Sequence, residues 1–294
     1  MKILNIRQFE SEEVSANFYC NTFKTHVITH QEKIAAPHKH DFFLTVLFTK
    51  GSGIHEIDFD SYPIEPGSVF FLYPGQTHYW KLSNDVDGFI FFHSREFFEL
   101  GFKDYSISQF PFYYSSHNPP NLNLSSDERA SIVSLFQELY NENQQKNLLR
   151  RQKISSLLNL IYIDLSRIYI QAYTKELTRS RVYSSHMKKF EELIETNFSF
   201  QKSAADYAEM MNMTPKHLNR LTKQMLGKTP TQLITERILL EAKRMLVYSD
   251  DSFANISIAL GYEDYPYFSR IFKKWTGITP TEFVSKYDRE YYNR

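Results

Sequence analysis

The chain writes nearly the same eight letters twice, GKTPTQLI at 227–234 and GITPTEFV at 277–284. At that fixed offset of fifty the likeness widens: LNRLTKQMLGKTPTQLI (218–234) runs beside FSRIFKKWTGITPTEFV (268–284). Arg220 corresponds to Arg270, Lys223 to Lys273, Gly227 to Gly277, and Thr229-Pro230-Thr231 to Thr279-Pro280-Thr281. Apolar positions correspond as well: Leu218 with Phe268, Leu221 with Ile271, Leu233 with Phe283. Repeated glycines and prolines mark repeated backbone events, and repeated apolar positions mark one buried face. The feature is therefore a duplicated structural unit. Two copies make a tandem pair and not a solenoid.

Each copy reads as two helices around a tight turn. In the first, Tyr207, Ala208, Met210 and Met211 fit a short helix, and Asn212-Met213 a turn. Thr214 suits an N-cap, with Pro215 at the first helical position, where a missing N–H costs nothing. The next helix runs to about Leu226 and ends at Gly227. Leu218, Leu221 and Met225 share its inner face; Lys216, Asn219, Arg220 and Lys223 share its outer face. In the second copy Phe253, Ile256 and Leu260 line a short helix, Gly261 makes the turn and Asp264 caps. Phe268, Ile271, Phe272 and Trp275 are expected to turn inward, and Ser269, Arg270, Lys273 and Lys274 outward. Between the copies, Leu233 to about Tyr248 reads as one long helix buried through Ile238, Ala242, Met245 and Leu246.

This is a helix-turn-helix pattern, twice. Its chemistry suits double-stranded DNA. Arginine donates a bidentate pair to guanine and asparagine to adenine, while lysine, serine and threonine suit phosphates. Two reading helices on one rigid helix would enter successive major grooves, roughly 34 Å apart. A charged outer face is by itself an ordinary solvated face. The case for DNA rests on its recurrence, with two arginines in register. Net charge is zero, so no global electrostatic signal helps.

Residues 185–289 resemble the DNA-binding domain of AraC/XylS-type transcription regulators. The second copy carries most of the likeness, in IxxxLGYEDYPYFSRIFKKWTGITPTEF; the first adds AxxMNMTPKHLNRLTKQMLGKTP and RxxxEAKRML. The resemblance implies two helix-turn-helix units on a long helix, with promoter or operator DNA as partner. It places base-reading candidates at Lys216, Asn219 and Arg220, and at Tyr265, Pro266, Ser269 and Arg270. Three positions depart from the pattern. Thr222 stands where phenylalanine is usual, which predicts a less tightly packed first unit. Ser257 stands where alanine is usual. Pro266 has no side-chain donor.

Upstream, residues 1 to about 95 read as short strands: FFLTVLFT, IHEIDF, SVFFLY and DGFIFFH, separated by Gly, Pro, Asn and Asp. That spacing suggests a sandwich or small barrel. In PHKHDFF, His38 and His40 fall on one face of a strand, and His78 follows another. This resembles the cupin barrel, in which histidines and a glutamate bind metal. Here Leu44 and Thr45 occupy the place of the carboxylate. Two readings follow. In the first, His38, His40, His78 and Trp80 line the mouth of a small-molecule effector pocket, with no metal and no cofactor. In the second, the three imidazoles hold a catalytic metal, and the chain is a cupin dioxygenase or isomerase carrying a DNA-binding domain. The AraC/XylS resemblance favours the first, a non-enzyme. The aromatics Phe71, Tyr73, Tyr79 and Trp80 read as core before pocket.

Ser125-Ser126-Asp127-Glu128 resembles a helix start. Ile132, Leu135, Phe136, Leu139 and Tyr140 then follow at helical spacing. A second helix is expected from about 147 to 172, with Leu157, Leu158, Ile161, Leu165 and Ile168 in one stripe. The stripe can dock on the strands, pack against a second copy, or both. Residues 174–184, TKELTRSRVYS, read as a linker.

The predicted organisation is an all-β cupin-like effector or dimerisation barrel at 1–124 and a helical dimerisation segment at 125–173. A linker follows at 174–184, then an all-α DNA-binding domain at 185–294. A homodimer is expected. One cysteine, Cys20, excludes an intrachain disulfide and a cysteine-based zinc site. MKILNIRQFESEEV lacks the apolar run of a signal peptide, and no stretch approaches a spanning helix. A cytoplasmic, sequence-specific regulator with no membrane contact is the expectation.

Overall fold

The structure is a computed structural model. It describes residues 3–9, 17–101, 106–115, 118–173 and 185–291. The expected linker at 174–184 lies outside the described residues. The chain divides into two compact units, Met1–Leu177 and Thr178–Arg294.

The first unit is β-rich. Its strands are β1 (Ile3–Leu4), β2 (Phe18–Thr22), β3 (His38–His40), β4 (Phe43–Lys50), β5 (Gly53–Ile57), β6 (Asp60–Ile64), β7 (Ser68–Leu72), β8 (Thr77–Leu82), β9 (Asp87–His93) and β10 (Asn121–Asn123). Helix α1 (Phe23–Ile34) follows β2; α2 (Arg95–Gly101) and α3 (Pro111–Tyr114) follow β9; α4 (Ser126–Gln144) and α5 (Arg150–Ala172) close the unit. Sheet A has the order β1-β3-β8-β5-β6 and sheet B the order β10-β7-β4-β9-β2. The expected all-β domain with flanking helices is present, but its strands form two sheets and not one closed barrel. The outer strands of sheet B are β10, only three residues long, and β2, against which α4 lies.

Sheet B explains the unbroken apolar runs. Along β4, Phe43 and Leu47 belong to a core shared with α4 and α5, while Leu44, Val46 and Phe48 belong to the core between the sheets. Strands β7 and β9 alternate in the same way: Val69, Phe71, Phe89 and Phe91 to the helices, Phe70, Leu72, Ile90 and Phe92 to sheet A. A strand buried on both faces has no polar side to show, so the period-2 signal vanishes. Phe71 and Trp80 sit in these cores, as expected of aromatics at strand spacing.

Helix α4 starts where the sequence places it. Ser125 accepts from the Glu128 N–H, and the Glu128 carboxylate accepts from the Ser125 N–H at 2.8 Å, which closes a capping box. Helix α5 begins at Arg150, three residues later than expected, because Leu149 takes a left-handed conformation (φ 59°) ahead of it. Its stripe of Leu157, Leu158, Ile161 and Leu165 is buried against sheet B. Leu160 and Ile170, off that stripe, remain 42% and 49% exposed.

The second unit is all helix: α6 (Ser185–Asn197), α7 (Ala204–Met210), α8 (Pro215–Leu226), α9 (Pro230–Tyr248), α10 (Phe253–Ala259), α11 (Tyr265–Thr276) and α12 (Pro280–Tyr291). One core joins them. Leu218 of α8, Ile238 and Ala242 of α9, and Phe268 and Phe272 of α11 all belong to it.

Candidate nucleic-acid interface and ligand site

The two helix-turn-helix units are α7–α8 and α10–α11, on either side of the long helix α9. Each step is capped by the residue the sequence supplies. Ser203 and Ser252 accept from the N–H three residues on, at the starts of α7 and α10. Thr214 accepts from the His217 N–H at 3.2 Å, and Asp264 from the Tyr267 N–H at 2.6 Å, at the starts of α8 and α11. Pro215 and Pro266 sit in the first turns of these helices. Gly227 and Gly277 end them in the left-handed region, φ 69° and 83°.

The turns themselves use left-handed residues at Asn212 (φ 54°) and Gly261 (φ 72°). The equivalence here is at forty-nine residues, not fifty. The Met213 N–H donates to Ala208 as the Tyr262 N–H donates to Ser257, but the caps that follow are Thr214 and Asp264. The second turn therefore carries one additional residue, Glu263.

Lys216, Arg220 and Lys223 are exposed on α8, and Arg270 and Lys273 on α11. Asn219 and Ser269 are half-buried at matching positions between them. Both reading helices thus carry an arginine and a lysine on one exposed face. Pro266 is exposed too. Tyr265 is half-buried, with its ring 5.8 Å from that of Phe253 within the unit's own core. Sequence reasoning missed Tyr267. It is 49% exposed in the first turn of α11, and the Arg270 guanidinium lies 5.8 Å from its ring centre. The i,i+3 spacing to Arg270 was the available signal. Trp275, expected inside, is 39% exposed, because the last turn of α11 leaves the core before Gly277. Thr222 is fully buried and donates to the Asn219 carbonyl, where its counterpart Phe272 packs rings against Phe268 and Phe283. Ser257 is also buried and donates to the Ala254 carbonyl at 2.7 Å.

Helix α9 is held to α6 by charge. Arg237 donates to both Glu195 oxygens at 2.6 and 2.7 Å and to Glu241 at 3.1 Å, and Arg244 also meets Glu241 at 3.1 Å. A fork-to-fork arginine–carboxylate pair fixes orientation as well as distance.

In the first unit the structure brings His38, His40, His78 and Trp80 together, all buried on the inward face of sheet A. His38 and His78 are cross-strand partners with ring centres 4.4 Å apart, and His40 lies 5.1 Å from His78. A fourth member, His55, was not foreseen. It stands opposite Trp80 in the β5–β8 ladder, and its Nε2 is 3.1 Å from His78 Nδ1. The alternation of IHEI, with His55 and Ile57 on one face, was the signal. Burial holds three of these imidazoles neutral: it pushes His40 down to about 3 and keeps His55 and His78 well below the usual histidine range.

Neutral rings have assignable roles. His40 Nδ1 must carry a proton to donate to the Phe42 carbonyl at 2.8 Å, so its Nε2 is an acceptor. Between His55 and His78 one nitrogen donates and the other accepts. Their outer nitrogens, His55 Nδ1 and His78 Nε2, are then one donor and one acceptor. Those two atoms, His40 Nε2 and the Trp80 indole N–H are buried without a hydrogen-bond partner. The cluster is therefore a mixed set of donors and acceptors facing inward. Among the described residues, no group of three or more His, Cys, Asp or Glu side chains is arranged to hold a metal ion.

Paired helix-turn-helix units that follow, along the chain, a two-sheet domain with a polar cluster in its interior define a DNA-binding regulator with a sensory domain. Residues 24–158 match the model of the AraC-like ligand binding domain, and residues 207–286 that of a helix-turn-helix domain. The chain belongs to the AraC-type transcriptional regulators. It is similar to the HTH-type transcriptional activator RhaR of Mannheimia succiniciproducens, 26% identical over 257 residues, covering 85% of this chain and 87% of that protein. The HTH-type transcriptional activator RhaS of Pectobacterium carotovorum is 27% identical over 241 residues, covering 81% and 83%. The crystal structure of ToxT from Vibrio cholerae with bound unsaturated fatty acid aligns over 93% of this chain and 96% of that one, at 14% identity and a TM-score of 0.38. Among the described residues, no helix is long and apolar enough to cross a membrane.

Proposed function

We propose that the chain is a sequence-specific, cytoplasmic regulator that reads two successive major-groove segments of a promoter. Arg220 and Arg270 make the base contacts, with Asn219, Ser269 and Tyr265 beside them. Lys216, Lys223 and Lys273 hold phosphates. The observation that carries this reading is the recurrence of an exposed arginine and lysine at matching positions on two capped helices.

The interior cluster of His38, His40, His78 and Trp80 receives the effector, with His55 as a further contact. Among the described residues, no lysine or arginine of the first unit is buried, so nothing there offers an anion a counter-charge. The complementary effector is a neutral molecule bearing hydrogen-bond donors and acceptors. It acts through its differential affinity for two arrangements of the chain. A homodimer forms through the exposed side of α5, at Leu160 and Ile170. The protein catalyses no reaction. The relatives' description as transcriptional activators makes activation the favoured output.

The test is binding of the purified chain to a pool of genomic fragments at two salt concentrations. Recovery of a few discrete sites at both supports the reading. Weak, sequence-blind binding that disappears at the higher salt overturns it, since such binding is phosphate attraction alone.

A further inference from the structure

We propose that Lys202 is a positioning residue for DNA reading: it fastens the first helix-turn-helix unit to the turn of the second and so sets the spacing at which α8 and α11 meet DNA. The proposal rests on the DNA-binding reading above.

Lys202 lies in the short connection 198–203, between α6 and the first unit. Its Nζ donates to the Gly261 carbonyl at 2.7 Å and stands 4.7 Å from the centre of the Tyr262 ring. Gly261 and Tyr262 form the turn of the second unit, immediately before its reading helix. One ammonium thus serves a main-chain acceptor and an aromatic face together. The backbones are also in contact there. A Cβ built on Gly261 would lie 1.9 Å from the Ser199 carbonyl oxygen. Glycine is required twice over, by φ 72° and by this approach.

The other end of the same connection is fixed to α9. The Arg237 guanidinium lies 4.0 Å from the centre of the Phe198 ring while it holds Glu195. The connection therefore bridges the long helix to the second turn. Along the chain, α9 reaches α10 through only residues 249–252, where a change of direction would rotate α11 relative to α8. Beyond the shared apolar core, the contacts across that joint include Tyr248 to Tyr287 of α12, hydroxyls 2.5 Å apart, Lys243 to the Phe283 ring centre at 5.7 Å, and Lys202 to Gly261. A joined pair of reading heads gains from its second contact only when its geometry matches the site. Each base pair added between half-sites turns one of them by about a tenth of a helical turn. A braced pair must discriminate gap lengths; an unbraced pair tolerates them.

The test uses the full-length chain, a DNA site selected by the wild type from random sequence, and derivatives of that site. In two derivatives the gap between the half-sites is one base pair longer or shorter; in a third, one half is scrambled. Lys202→Met is expected to keep wild-type affinity for the scrambled DNA and to lose about tenfold on the intact site. Its preference for the native gap should shrink, and Lys202→Arg should restore it. Unchanged gap preference in K202M overturns the proposal. So does an equal loss on intact and scrambled DNA, which marks a phosphate contact. Should K202M fail to fold, K202Q, too short to serve both Gly261 and Tyr262, takes its place: reduced gap preference supports the proposal, and wild-type gap preference overturns it. Failure of the wild type to select any site bears on the DNA-binding reading, not on the brace.

Discussion

The Tyr162 hydroxyl of α5 lies 2.8 Å from His93 Nε2 at the end of β9. His93 Nδ1 donates to the Ser94 carbonyl at 2.9 Å, so Nε2 is the acceptor and tyrosine the donor. The Thr45 hydroxyl of β4 stands 3.3 Å from Tyr162 and 3.2 Å from Tyr113. These groups tie α5 to the middle of sheet B inside an otherwise apolar core. Tyr162→Phe keeps the ring and leaves His93 Nε2 buried without a partner. The expected loss is about 1–3 kcal/mol, read from urea unfolding of the first unit. No loss would mean that the network contributes packing alone.

The first unit should be acid-sensitive above the carboxylate range. Burial holds His93 down to about 4 and His40 to about 3, with His26, His55 and His78 also far below their ordinary value. In the unfolded chain these rings titrate near 6.5. Above that pH both states are neutral and the stability is complete. As pH falls from about 6.5 towards 4 and then 3, the unfolded chain takes up protons that the folded chain refuses, and stability declines. Unfolding midpoints measured across that window should fall with an uptake of more than one proton. A flat profile down to pH 5 would show that the rings are not buried as described.

Arg270→Ala should cost about 1–3 kcal/mol on the preferred site and relax selectivity at one base pair. Lys273→Ala should weaken all sequences alike and lower the salt slope by about one. Competition binding with point-substituted sites separates the two outcomes. An arginine variant that loses equally on every sequence would be reassigned to a phosphate.

Gly261→Ala and Asn212→Gly occupy equivalent turns and should differ in size of effect. The first forces a side chain into φ 72° and against the Ser199 carbonyl, and should cost more than about 1 kcal/mol. The second relieves a left-handed asparagine at φ 54° and should be close to neutral. Thermal unfolding of the two variants decides the comparison.

Leu160→Glu and Ile170→Glu place charges on the exposed side of α5, away from the stripe that meets sheet B. Each should leave the monomer folded and lower the sedimentation mass of the wild type from dimer to monomer. A wild type that is monomeric at high concentration removes the dimer from the proposal.

The second unit was legible almost to the residue. Its caps, glycines and prolines are local devices, and each determines backbone in the same way wherever it occurs. Thr214, Asp264, Gly227 and Gly277 therefore announced their helices without help from tertiary structure. The shifted register at the turn was hidden, because residue offset alone cannot say where an additional residue is absorbed. The first unit was less transparent. A strand such as FLTVLFT, buried on both faces, loses the alternation that reveals which side is which. His55 escaped notice because it joins His78 across a ladder, and cross-strand pairing follows from register, which no short motif encodes. Leu149 moved the start of α5 through a backbone conformation that leucine seldom takes and sequence does not advertise.

Glu263 makes the two helix-turn-helix units unequal. A duplicated segment of equal lengths could be exchanged half for half, like matched cassettes. One residue more in the second turn breaks that equivalence: grafting α10–α11 onto the position of α7–α8 would deliver its second helix, and Arg270 with it, to a different place. On the proposed reading the halves are locked in order, so each half-site runs in a direction along the duplex, and a homodimer repeats it about its own axis.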